Sequence, residues 1–228
     1  MHWSKRALAA LAAAGLAATP AAAQQAQGAP ASRFVVVLDA AHGGSDPGGR
    51  LASGQPEKAA TLALSVRLRS LLAARGIAVV TTRESDATIE PDRRAAIANH
   101  AAAQVCLSIH ASESGSGVHL FVSSLAPAQP TPFAPWKTAQ AASVTRSLAL
   151  AGVLNSALLH AGVNVTLDRT TLPAVDSMTC PAASVEIAPE RGSDNQITAE
   201  PDDPAYQSRI AGAVAAAVLE FRTEAHQP

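Results

Sequence analysis

A chain of 228 residues with 48% hydrophobic and 15% charged residues holds enough apolar material for one core of ordinary domain size, and that balance excludes a disordered chain. Lys and Arg number 17 against 18 Asp and Glu, so no basic excess exists to neutralise a run of phosphates. The composition therefore argues against nucleic acid as a partner.

At the start of the chain, Lys5 and Arg6 precede an apolar run from Ala7 to Ala18, and Ala21-Ala22-Ala23 stands before Gln24. Positive charge, a short apolar stretch and small residues in that order predict a secretory signal over 1–23. A membrane anchor would need roughly 20 apolar residues; this run is shorter and Pro20 follows it. Residues 24–32, rich in Ala, Gln, Gly and Pro, read as a flexible lead, 33–223 as a single domain and 224–228 as a tail. No later stretch is long and apolar enough to span a bilayer. The expectation is an exported protein, periplasmic or secreted, with no membrane span after signal cleavage. An oxidising compartment would allow Cys106 and Cys180 to pair, and the sequence leaves open whether they do. A CxxC pair is absent, which disfavours a cysteine-based zinc site.

The elements follow in order. Phe34 to Leu38 is a continuous β-favouring run, the pattern of a strand buried on both faces, and it leads into a polar, Gly-rich loop from Asp39 to Gly54. Glu57 to Arg75 carries Leu62, Val66, Leu71 and Leu72 at helical spacing and stops at Gly76, a natural C-terminal cap. Ile77 to Thr82 reads as a second strand. Strand, helix and strand in this order describe a crossover between parallel strands, which predicts an α/β fold built on a parallel sheet. Pro91 to Ala103 reads as a helix, and Val105 to Ile109 and Val118 to Ser123 as strands. A surface loop from Leu125 to Pro135 precedes a long helix from about Lys137 to His160. Ala183 to Ile187 is a further short strand. Ala205 to Phe221 closes the chain as a helix with Tyr206, Ile210, Val214 and Val218 on one face.

Three polar side chains stand where predicted strands give way to loops: His42 after the first strand, Glu57 at the start of the first helix, and His110 at the end of the third strand. Ligands collect outside the carboxyl ends of strands in open α/β sheets. Two imidazoles and a carboxylate are a recurrent ligand set for catalytic zinc, which leaves a fourth position for water or substrate. Taken singly, each has a plainer reading: a histidine in a Gly-rich loop is commonly solvated, and Glu57 would suit a helix N-terminus electrostatically. Glu186 lies within the apolar run Ala183 to Ile187, where a carboxylate is costly unless it is used or paired. Two roles remain open for it: a general base beside the metal, or an ion pair with Arg191 or another arginine. Glu113 is a further candidate for the open metal position, although acids in such loops are commonly solvated. His119 has its simplest reading as a structural residue of an alternating strand.

The segments Leu38-Asp39-Ala40-Ala41-His42-Gly43-Gly44-Ser45-Asp46-Pro47-Gly48, Glu57-Lys58-Ala59-Ala60-Thr61-Leu62, Thr82-Arg83-Glu84-Ser85-Asp86, Arg94-Ala95-Ala96-Ile97-Ala98-Asn99, Ser108-Ile109-His110-Ala111 and Ser184-Val185-Glu186 together resemble the zinc-dependent N-acetylmuramoyl-L-alanine amidases called amidase 3. The resemblance runs from about Phe34 to Phe221. It implies a twisted, mostly parallel sheet with helices on both faces, a Zn2+ ion held by His42, Glu57 and His110, and Glu186 as the catalytic carboxylate. It implies peptidoglycan as substrate, cut between the lactyl group of N-acetylmuramic acid and the first L-alanine of the stem, and leaves an activator protein unidentified. The chain departs from the family's usual Pro-Gly at Ala40-Ala41 and again after His110 and Glu186. Those departures keep two alternatives in view: a non-catalytic wall-binding or regulatory protein with the same fold, and a zinc hydrolase of another amide.

Overall fold

The computed structural model describes residues 33–133 and 135–224. The predicted signal, the flexible lead and the tail beyond Glu224 lie outside the described residues. Six strands form one sheet: β1 (Val35–Ala40), β2 (Ala78–Thr81), β3 (Val105–Ala111), β4 (Val118–Ser123), β5 (Val165–Thr170) and β6 (Ala182–Ile187), in the order β2-β1-β3-β6-β4-β5. The helices are α1 (Glu57–Ala73), α2 (Pro91–His100), α3 (Val144–His160), α4 (Pro173–Asp176) and α5 (Pro204–Glu224), and a small hairpin joins β7 (Glu190–Arg191) to β8 (Ile197–Ala199).

Strand alternation divides the core into two layers. Val36, Leu38, Leu107 and Ile109 point to the face covered by α1, α3 and α5, where Leu64, Leu68, Leu150, Leu154, Val214 and Val218 pack against them. Val37, Cys106 and Ala182 point to the opposite face, where they meet Ala98 of α2 and Val175 of α4. Helices therefore cover both faces, as a parallel sheet requires. In β3 and β6 the only residues that are not fully buried are His110 and Glu186. Among the described residues no single helix is long and apolar enough to cross a membrane.

The predicted parallel crossovers hold for β1 with β2, β1 with β3, and β3 with β6. β4 runs antiparallel to β6. Only residues 112–117 separate β3 from β4, too few for a crossover helix, so the chain turns back and β6 later fills the gap between them. The expected helix from Lys137 is broken: Trp136–Ala142 forms 3-10 turns, and α3 begins only after Ser143. The cause is a buried polar knot. The Gln140 amide donates to the carbonyls of Met178 and Cys180, and the Ser147 hydroxyl donates to Gln140 Oε1, which fixes the turn against the start of β6.

Cys106 of β3 and Cys180, two residues before β6, form a disulfide across 74 residues of sequence. Both are buried in the core layer beneath α2 and α4. Closing a loop of that length is worth about 4 kcal/mol on the chain-entropy model. Denaturant unfolding with and without reductant should show a loss of that order for the reduced protein, and Cys106→Ala/Cys180→Ala should match the reduced form while losing its response to reductant.

Candidate metal centre

The site forms at the carboxyl ends of β1, β3 and β6. Glu57 is the first residue of α1 and its side chain is buried, where an ionised carboxylate persists only if it is surrounded by donors. Its two oxygens divide the work. Oε1 lies 3.0 Å from His110 Nδ1 and accepts from the Ala111 N–H at 3.1 Å; Oε2 lies 3.1 Å from His42 Nε2 and accepts from the Gly49 N–H at 2.9 Å. Burial pushes the Glu57 carboxyl upward, but the contacts with His110, His42 and the two backbone amides outweigh it and hold the group below the usual carboxylate range. The same contact with Glu57, opposed by burial and aided by Asp46, raises the His42 imidazole.

His42, Glu57 and His110 thus meet, each offering a ligand atom within 4.8 Å of the others. The two rings stand edge to face with centroids 5.4 Å apart. Gly48 makes the meeting sterically allowed: it sits at φ +66°, and a Cβ there would lie 2.6 Å from the His42 ring and 2.7 Å from Glu57 Oε2. The Asp46 carboxylate, 2.8 Å from His42 Nδ1, fixes the ring so that Nε2 faces Glu57. The absent glycine at Ala40-Ala41 has a simple account, because the left-handed conformation falls on His42 itself at φ 61° and not on either alanine.

Two arginines hold this strained turn, and sequence reasoning assigned them no role. Arg94 of α2 donates to Asp39 Oδ1 and to the Ala40 carbonyl through Nη1, and to the His42 carbonyl through Nη2, each at 2.7 Å. Arg83 donates through Nε to Ala40 and through Nη2 to Ala41. The predicted loop start at Asp39 is instead a buried strand residue; its charge is compensated by Arg94, the Thr82 hydroxyl and the Ser108 hydroxyl. The sequence signal was present as two arginines in otherwise mixed segments. What they would touch depends on strand order.

Glu186 lies beside His110 in the parallel register of β3 and β6. The alternative partner Arg191 turns away and donates to the Gly115 and Asn195 carbonyls. The contact to Glu186 comes from His119, whose Nδ1 is 3.2 Å from Oε1, so His119 faces the site. Glu57, His110, Glu186, Arg50 and Glu113 border a polar cavity of about 330 Å³. Glu113 is exposed there and stands outside the three-residue cluster. A second cavity of about 320 Å³ also borders His110 and adds His42, and Ser108, Ser184, Ile89, Leu172 and Val175 are among its lining residues. The three-residue cluster therefore borders a polar and a more apolar recess.

The family described as N-acetylmuramoyl-L-alanine amidase matches residues 36–220 of the chain. The germination-specific N-acetylmuramoyl-L-alanine amidase of Bacillus subtilis is 34% identical over 95 residues, 36% of this chain and 40% of that protein. The N-acetylmuramoyl-L-alanine amidase AmiA of Escherichia coli is 42% identical over 77 residues, 34% of this chain and 27% of that protein. The match thus spans less than half the length of either curated relative. Among solved structures, the amidase Ami1 of Mycobacterium abscessus superposes with a TM-score of 0.66 at 21% identity, over 83% of this chain and 98% of that one. The CwlD amidase of Clostridioides difficile, solved in complex with the GerS lipoprotein, gives 0.64 at 20%, over 84% of this chain and 100% of that one. At these identities the structural likeness speaks for the fold.

The buried Arg94–Asp39 pair yields a stability prediction. Arg94→Met strands the Asp39 charge in the core and should cost about 3–5 kcal/mol in denaturant unfolding. Lys58→Met, which removes the more exposed contacts with Asp86 and the Gly44 carbonyl, should cost much less.

Proposed function

The chain belongs to the N-acetylmuramoyl-L-alanine amidase family, and from that membership and the geometry of its site we propose that it is an exported zinc-dependent hydrolase of peptidoglycan. In this reading it cuts the amide between the lactyl group of N-acetylmuramic acid and the first L-alanine of the stem. The observation that carries the proposal is the convergence of His42, Glu57 and His110, whose ligand atoms lie within 4.8 Å of one another, with Glu186 on the neighbouring strand.

The donor set fits the metal. Two imidazoles and one carboxylate are a common set for catalytic zinc, and groups outside the ligands orient them here: Asp46 on His42, and the Gly49 and Ala111 amides on Glu57. The chemistry that zinc supplies in such a site is Lewis acidity toward the scissile carbonyl and a water made acidic near neutral pH. The remaining steps belong to the chain. Glu186 takes the proton of the attacking water as the new C–O bond forms at the lactyl carbonyl. It then gives that proton to the leaving nitrogen as the C–N bond breaks, leaving a stem with a free L-alanine amine and a lactyl carboxylic acid that loses its remaining proton to solvent.

Export is supported by the disulfide, which persists in oxidising compartments, and by the signal-like residues 1–23. Because the CwlD amidase was solved with a lipoprotein bound, a protein partner that tunes activity belongs to the same proposal.

Digestion of purified peptidoglycan tests the reading. The protein should release stem peptides whose mass begins at L-alanine, and a chelator should abolish release until zinc is restored. Glu186→Gln should keep its zinc while the rate falls about 10²–10⁴-fold. His42→Ala and His110→Ala should lose zinc on metal analysis. Retention on insoluble wall without product would mark a binding protein instead, and products that lack the intact stem would move the cut to another amide.

A further inference from the structure

We propose that His119 is a positioning residue for Glu186, an inference that rests on the amidase reading above. β4 runs antiparallel to β6, and the register sets His119 directly opposite Glu186, while β3 sets His110 on the other side of the same carboxylate. One row across three strands therefore reads His110, Glu186, His119. Both members of the β4–β6 pair are partly open, His119 at 19% and Glu186 at 28% of side-chain surface. A polar pair of that exposure adds little to folding, so its significance lies in what it does to the carboxylate.

The bond fixes one end of Glu186. The base role proposed for Glu186 requires a carboxylate that can only accept, so in this proposal the hydrogen of the 3.2 Å contact belongs to His119 Nδ1, which donates to Oε1. Among the described residues this is the one hydrogen bond to the Glu186 side chain, which leaves Oε2 available to exchange a proton with water or the leaving amine. A glutamate held by nothing would spread over several rotamers. Anchoring one oxygen leaves the other with a defined position.

The imidazole is itself held in place. Gly115, at φ +91°, lies so close to it that a Cβ at that position would be 2.2 Å from Cε1 and 2.7 Å from Nε2. The Phe121 ring meets it edge-on at 6.4 Å. Arg191 donates to the Gly115 carbonyl at 3.1 Å and ties down the turn that backs the ring. A side chain at residue 115 has no room unless His119 moves. The turn, the ring and the carboxylate form one chain of contacts that ends on the proton-transfer group.

Two measurements on the full protein test this. In peptidoglycan digestion, His119→Leu should lower kcat about 10–100-fold with little change in KM, because a misplaced catalytic group slows chemistry more than binding. His119→Asn, whose amide N–H occupies nearly the place of Nδ1–H, should recover most of that loss, and zinc content and Tm should stay near those of the parent in both variants. Gly115→Ala should resemble His119→Leu. Independently of activity, ¹⁵N spectra of the imidazoles should show His119 as the Nδ1–H tautomer, and Glu186→Ala should remove that preference. Full kcat in His119→Leu, failure of Asn to rescue, or an Nε2–H tautomer in the parent would overturn the proposal. If the parent protein releases no stem peptide at all, the amidase reading falls, and the tautomer spectrum still decides whether His119 holds Glu186.

Discussion

The Glu57 carboxylate between two imidazoles is the constraint around which the rest of the site is arranged. A buried charge must be met by donors or it is not tolerated, and each of its oxygens receives one imidazole nitrogen and one backbone amide. Those four contacts bring together three distant parts of the chain: the loop after β1, the first turn of α1 and the end of β3. The position of Glu57 at the start of α1 adds the favourable end of the helix dipole. What closes the site is thus an electrostatic requirement of one side chain, and Gly48 supplies the space that lets it be met.

The turn that presents His42 is not stable on local grounds, since a non-glycine residue in the left-handed region carries a conformational cost. Arg83 and Arg94 offset that cost by hydrogen-bonding the successive carbonyls of residues 40–42, which no strand partner satisfies in full. Arg94 also neutralises Asp39, so the buried ion pair below the site and the orientation of the first imidazole are one structure. A charge cluster of this kind contributes little net stability against an apolar core, yet it penalises any other arrangement of the turn.

Much of this was legible in the sequence because it depended on local pattern. The unbroken apolar runs of β1 and β3, the Gly76 stop after α1 and the four-residue spacing on α5 each report burial directly, and His42, Glu57, His110 and Glu186 stand at the ends or edges of those runs. β5 escaped notice because it is a largely exposed edge strand whose residues, Val165 to Thr170, carry no continuous apolar signal. The break before α3 escaped because Gln140 and Ser143 look helical until Met178, Thr179 and Cys180 present carbonyls to them from 36 to 40 residues away. The pairing of Cys106 with Cys180, the burial of Asp39 and the partner of Glu186 are also contacts between distant segments. They become readable only once strand order is known.

Strand order also explains why the site needs mixed topology. A parallel pair, β3 with β6, places His110 beside Glu186, and each strand could supply only one residue to that row. The next member has to come from whatever strand borders β6 on its other side. The short turn after β3 delivers β4 there in the opposite direction, with His119 level with Glu186. A slip of one residue in that pairing would send His119 to the opposite face of the sheet and bring a neighbouring apolar side chain into its place. Register in β4 is held by four antiparallel pairs to β6, one of them His119 with Glu186 itself, and by six parallel pairs to β5 that run on to Ser123. The exposed edge strand therefore has a share in shaping the site: it fixes the strand that sets His119 beside Glu186.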